Sequence, residues 1–333
     1  MYIRPTHPAR STRRLVALLM LFPLVLLGCG TADAGEGAPT PEQLAGGSLA
    51  ADFDLQGAEF TVGSKEFTES VILGKITIMA LQAAGATVTD QTGLAGTNIV
   101  RTALETGEVD MYWEYSGTGW SLFLQHTDTL PDEQQQFEAT ANEDLQQNGI
   151  RWLGPAEFGN QYAIARRSDA PEPLASVDKL SDLSGFIAAN EDEATFCGAA
   201  EFLDREFLAM QDAYDAHFPP PQVYQNDFAL NFVNVAKGSP CNFAEVFTTD
   251  ARIKSLDLTV IEDDKNFFLT QLAALTTREE VYQEHPELGD IAMALGEKLD
   301  EDTMIELNGM VDLEGRTAEE AAARFLRDNG FIG

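Results

Sequence analysis

The sequence predicts an α/β protein of two lobes with a ligand cleft between them. Three observations carry this reading. Short apolar runs of period two alternate with stretches of period 3.6 between residues 59 and 115, which argues for an open sheet flanked by helices. The middle of the chain repeats that alternation, and residues 277–329 are almost entirely helical in pattern. The strand-rich start and the helical end, 58–158 and 263–333, therefore read as one lobe, and 159–262 as a second lobe inserted into it. Ligands of such folds are expected in the crevice.

In chain order, Arg4, Arg10, Arg13 and Arg14 precede an apolar run at 15–27 containing Pro23. The run is shorter than the about 20 residues a membrane helix needs and suits a signal-peptide core. It ends in Leu26-Leu27-Gly28-Cys29, which resembles the bacterial lipobox. Residues 1–28 are thus expected to be a lipoprotein signal peptide, and Cys29 the lipidated residue of an exported, membrane-tethered protein. Residues 29–57 are rich in Gly, Ala, Pro and acids and read as a flexible tether.

A strand is expected at 59–63, then a helix capped by Thr68 and stopped by Gly85. A second strand near 87–89 leads through Gly93-Leu94-Ala95-Gly96-Thr97 into a helix ending at Gly107, and 109–115 is a third strand. In the second lobe, 161–165 is strand-like, 177–183 a short helix and 200–216 a longer one, stopped by Pro219-Pro220-Pro221. Residues 242–247 form a strand before the turn Thr248-Thr249-Asp250, and 260–264 a strand running into an acidic turn.

Composition narrows the function. The 333 residues carry 54 acidic and 21 basic side chains, a formal charge of −33, with 44% hydrophobic and 9% aromatic residues. A core is affordable, but a phosphate-neutralising surface is not, which argues against nucleic acid as a partner. Salt screens the self-repulsion of such a chain, so its melting temperature is expected to rise with NaCl. Four histidines and three cysteines leave few ligands for zinc, and no cofactor is expected. With Cys29 lipidated, Cys197 and Cys241 remain, and export permits a disulfide; two free buried thiols are the alternative.

Enzymatic chemistry has little support. The sequence has no Gly-x-Ser-x-Gly elbow and no Walker-type loop, and His126, His217 and His285 fall in polar stretches. Glu66, Glu69 and Glu114 could form an acid/base pair, but among 54 acids such a pairing is weak evidence. More informative are Gly63-Ser64-Lys65-Glu66-Phe67-Thr68-Glu69, a lysine and hydroxyls at a helix start, and Tyr112-Trp113-Glu114-Tyr115-Ser116-Gly117-Thr118, which puts Tyr115 and Thr118 at the carboxyl end of a strand.

Together with Gly-Leu-x-Gly-Thr at 93–97, these motifs resemble the substrate-binding proteins of osmoprotectant ABC importers, which take glycine betaine, choline, carnitine and related compounds. The likeness continues through Glu201-Phe202-Leu203-Asp204-Arg205, Phe247-Thr248-Thr249-Asp250-Ala251-Arg252 and Glu262-Asp263-Asp264-Lys265, and spans nearly all of 59–332. It implies a type II periplasmic-binding-protein fold, a monomeric receptor that closes on ligand, and separate permease and ATPase subunits as partners.

By the same resemblance, Lys65, Thr118 and Arg205 match positions that bind the ligand's carboxylate, and Tyr115 and Tyr162 match walls of the aromatic cage around its trimethylammonium group. Phe247 stands where tyrosine is usual, Asn160 where some relatives have aspartate, and Gln271 where many have a cage-closing tyrosine. Trp120, Phe228, Phe267 and Phe268 are candidate replacements for that ring. A quaternary ammonium has no N–H to donate, so ring faces must hold it, at roughly 0.5–2 kcal/mol per face. The paired cations Lys65 and Arg205 favour a zwitterion over choline. A second reading, a same-fold binder for an amino acid or polyamine, rests on the departures at Phe247 and Gln271.

Overall fold

The computed structural model describes residues 39–127, 130, 132–268 and 271–333. The expected signal peptide, the lipidation candidate Cys29 and the first part of the expected tether lie outside the described residues. The strands are β1 (Glu59–Lys65), β2 (Thr87–Leu94), β3 (Met111–Tyr115), β4 (Ile150–Leu153), β5 (Tyr162–Arg167), β6 (Phe196–Gly198), β7 (Val223–Gln225), β8 (Phe243–Phe247), β9 (Leu258–Ile261) and β10 (Ala273–Arg278). They form two five-stranded sheets, in the orders β2-β1-β3-β10-β4 and β7-β6-β8-β5-β9.

The two sheets share a plan. In the first, β1 runs parallel to β2 and β3, while β10 is antiparallel to β3 and β4. In the second, β6 runs parallel to β7 and β8, while β5 is antiparallel to β8 and β9. The antiparallel strands β5 and β10 are the ones the chain forms directly after crossing from one sheet to the other. The crossings pack closely: a Cβ on Gly159 would lie 1.8 Å from the Gln271 carbonyl oxygen, so only glycine fits there. The Ala273 amide donates to the Phe158 carbonyl at 3.2 Å, tying the two crossings together.

Packing explains the elements. The helix Thr68–Ala83 buries Ile72, Leu73, Ile76 and Leu81 in one cluster with Trp113 and with Ala322 and Phe325 of the helix Ala318–Asp328. The second lobe is centred on phenylalanines: Phe196 meets Phe207 at 4.5 Å, Phe218 at 5.2 Å and Phe202 at 5.9 Å between centroids. Cys197 and Cys241 are joined by a disulfide that links β6 to the turn before β8.

Several expectations need correction. Of the stretch 29–57 read as a flexible tether, Pro41–Leu44 and Ser48–Asp52 are helical and Leu49 is 1% exposed. The cause is local and tertiary: Thr40 and Gln43 form a reciprocal capping box, and the Ser48 and Leu49 amides donate to the Gly330 and Phe331 carbonyls. Thr68 is the first helical residue rather than the cap, and its hydroxyl instead donates to Asp312 at 2.7 Å. The helix expected at 177–183 lies at Asp182–Ala189, because Asp182 accepts the Lys179 amide and holds the preceding residues in a turn. The helical stretch expected from 277 begins later, since β10 runs to Arg278; the buried Thr276 and Thr277 hydroxyls donate to the Tyr112 and Asp110 carbonyls.

Candidate functional site

A cleft of about 620 Å³ lies where the two sheets face one another. All eight candidate residues from the sequence line it: Lys65, Tyr115, Thr118, Asn160, Tyr162, Arg205, Phe247 and Gln271. The first lobe delivers Lys65 from the end of β1, Tyr115 from the end of β3 and Thr118 from the short helix Ser116–Thr118 that follows. The second lobe delivers Tyr162 from the start of β5 and Phe247 from the end of β8, which are direct cross-strand partners. Arg205 sits in a π-helical turn, Leu203–Phe207, a distortion often found at functional sites.

The cations are not free. Lys65, 5% exposed, donates to the buried Glu114 carboxylate at 2.6 Å and lies 5.3 Å from the Tyr115 ring centroid. Glu114 also accepts the Tyr112 hydroxyl at 3.0 Å and the Tyr115 amide at 2.8 Å. Arg205 donates to Glu201 at 2.7 Å, and Glu206 lies 3.6 Å from its second nitrogen. Each cation thus meets a carboxylate of the protein, and a ligand carboxylate would share it.

Aromatic faces are continuous through the cleft. Ring centroids are 6.2 Å apart for Phe67 and Tyr115, 5.6 Å for Phe67 and Phe247, 4.9 Å for Tyr162 and Phe247, and 4.7 Å for Phe228 and Phe247. Phe67 and Phe228 line the same cavity. Of the four candidate replacements for a ring at Gln271, Phe228 is the one placed in the cleft wall. Trp120 stacks on His126 at 3.6 Å, and Phe267 and Phe268 join the second-lobe core. Gln271 contributes its amide, which donates to the Asn160 carbonyl and binds the two crossings together. Phe67, which sequence reasoning passed over, lies inside the Lys65–Glu69 motif itself.

Carboxylates complete the wall. Glu69 is buried and accepts the Tyr115 hydroxyl at 2.6 Å, the Thr249 hydroxyl at 2.7 Å and the Asn308 amide at 3.0 Å. Burial raises its pKa above the ordinary carboxylate range, and these hydrogen bonds oppose the rise. Burial likewise pushes Glu245 up, to about 8. Glu201 is held below the usual range: burial acts upward, but the Thr97 hydroxyl, Lys65 and Arg205 outweigh it. The Glu66–Glu69–Glu114 grouping considered as an acid/base set is dispersed, with Glu114 beneath Lys65 and Glu66 accepting the Gly96 amide at 2.8 Å.

Several contacts join the lobes across the cleft. Thr97 donates to Glu201 at 2.8 Å, Thr249 to Glu69, and Asn308 to the Thr249 carbonyl at 3.2 Å. Arg252 and Asp312 approach to 3.5 Å. A cleft lined by ring faces, hydroxyls and paired charges between two α/β lobes defines a solute-binding protein.

The chain belongs to the OpuAC family, the substrate-binding domain of the ABC-type glycine betaine transport system, whose model matches residues 58–328. It is 34% identical over 284 residues to the glycine-betaine-binding protein of Pseudomonas aeruginosa, covering 83% of this chain and 90% of that one. It is 30% identical over 279 residues to the glycine betaine-binding protein YehZ of Escherichia coli, covering 81% of this chain and 90% of the other. The solved structure of apo YehZ from Escherichia coli superimposes with a TM-score of 0.62 at 28% identity, over 83% of this chain and all of that one. The type II periplasmic-binding-protein fold expected from the motifs is thus the fold observed. Family membership also places the chain among transporter substrate-binding proteins rather than enzymes.

Proposed function

We propose that this protein captures glycine betaine, or a closely related quaternary ammonium zwitterion, in the cleft and delivers it to an ABC importer. The observation that carries the reading is one cavity lined by the rings of Phe67, Tyr115, Tyr162, Phe228 and Phe247 together with Lys65, Thr118 and Arg205. Rings hold an ammonium that cannot donate hydrogen bonds, and charge-assisted donors hold a carboxylate. The names of the two relatives support the same ligand class.

Delivery would engage the permease and ATPase of an ABC importer. We place the receptor outside the cytoplasm, as a monomer anchored to the membrane through lipid on Cys29. Ligand contacts to both lobes would shift the population toward the closed form. Isothermal titration of the purified protein with glycine betaine, carnitine and choline in high salt tests the ligand. Micromolar or tighter binding of a betaine is expected; absence of heat and of any thermal shift with all three would overturn the reading. Radiolabelled lipid incorporation that persists in Cys29→Ala would exclude the anchor.

A further inference from the structure

Three carboxylates of the cleft wall are buried, Glu69, Asp250 and Glu245, and they are not equivalent; Asp250 is paired with Arg252. Glu69 takes three hydrogen bonds spread over both of its oxygens. Glu245, 2% exposed, takes its two side-chain bonds on one oxygen: Oε2 accepts the Ala199 amide at 2.6 Å and the Asn231 amide at 3.3 Å. Neither donor is a cation. A buried carboxylate with no opposite charge is costly and persists where a ligand or a proton supplies the balance.

Its position says which ligand. In the unbroken register of β8 against β5, residues 245 and 247 share a face. Glu245, Phe247 and Thr249 accordingly all line the cavity, beside the Tyr162–Phe247–Phe228 rings. The groups around Glu245 are Tyr162 from β5, Glu201 from the segment after β6, and Asn231 from the helix Phe228–Lys237. Arg205 is already engaged by Glu201 and Glu206.

We infer that Glu245 is the counter-ion for the ligand's ammonium group, and that it makes the cleft select for a cation over a neutral group of the same shape. The inference rests on the reading of the cleft as a quaternary ammonium site and assigns a residue that the sequence motifs do not mark. With its pKa held at about 8 by burial, with neighbouring Glu201 adding to the rise, Glu245 keeps its proton in the empty cleft at neutral pH. The arriving ammonium takes the place of that proton, which passes to the buffer.

The test is calorimetry of the purified protein with glycine betaine at pH 6.5, 7.5 and 8.5, in buffers of differing ionisation enthalpy. Affinity is expected to rise about 25-fold from pH 6.5 to 8.5, with proton release at the lower pH. Glu245→Gln should weaken betaine about tenfold at pH 8.5, abolish the proton release and flatten the profile. A pH-independent affinity without proton release, or a Glu245→Gln affinity within about twofold of the parent, would overturn the assignment while leaving the betaine site standing. Failure of the parent to bind betaine at any pH would overturn both.

A ligand-free measurement keeps the assignment falsifiable apart from binding. The unfolded chain releases the Glu245 proton near its ordinary value, 4.5, and the folded chain only near 8, so stability is lost as pH rises between the two. The melting temperature of Glu245→Gln relative to the parent should therefore climb from pH 5 to 8.5. A constant difference would contradict an uncompensated carboxylate.

Discussion

The two walls of the cleft handle charge differently. On the first-lobe wall, Lys65 meets Glu114 at 2.6 Å, and Glu69 is covered by Tyr115, Thr249 and Asn308. Each of these charges has a protein partner or a full set of donors. The second-lobe wall is built on the Tyr162–Phe247 cross-strand pair and Phe228, with Arg205 paired to Glu201 but Glu245 facing no cation among its hydrogen-bond partners. The contrast separates two tasks. The first wall is pre-organised by its internal partners, whereas on the second Glu245 has no cationic hydrogen-bond partner and keeps a proton that, on the proposal above, an ammonium ligand displaces.

The comparison can be broken by removing one partner on each side. Glu114→Ala would strand the buried Lys65 ammonium and is expected to destabilise the fold by about 3–5 kcal/mol, read as a fall in chemical-denaturation midpoint. A loss below 1 kcal/mol would mean the first wall is not held by that pair. Opening the Cys197–Cys241 link by Cys241→Ser should cost about 3–4 kcal/mol in the chain-entropy picture, for a sequence separation of 44. Hydrogen exchange should report the loosening mainly in the second lobe; equal loosening of both lobes would contradict that localisation.

Smaller effects sharpen the division of labour. Arg205→Ala should weaken betaine by about 2 kcal/mol or more and choline by much less, since choline lacks the carboxylate. Unchanged betaine affinity would remove Arg205 from the site. Phe247→Ala should cost about 1–2 kcal/mol for either ligand, whereas Phe247→Tyr keeps the ring face and should change affinity by well under 1 kcal/mol. Competition titrations check both, and a large loss in the tyrosine variant would mean that the hydroxyl, not the ring, governs this wall.

Much of this was legible in the sequence, for physical reasons. The cleft residues fall at strand ends and helix starts, where glycine, hydroxyl and aromatic residues crowd into short motifs; Lys65, Tyr115, Tyr162, Arg205 and Phe247, singled out through the family resemblance, line one cavity. What escaped notice depends on long-range packing. Glu245 lies between Ala244 and Val246 in a strand, and a lone acid in a chain with 54 acids carries no local signal. Glu114 as the partner of Lys65 is 49 residues away. The strand character of β10 comes from its insertion between β3 and β4, which overrides the helical pattern that follows. Likewise, residues 41–52 look like linker until Leu49 packs against the C-terminal segment.

The most direct test of the central claim compares glycine betaine with 3,3-dimethylbutanoate, which has the same shape and carboxylate but a neutral tert-butyl head. Titrated into the same protein at pH 8.5, betaine should bind at least about tenfold more tightly, because only it supplies the charge that the rings and Glu245 lack. Equal affinities would show that the cleft reads shape and carboxylate alone, and would contradict the account of its second wall.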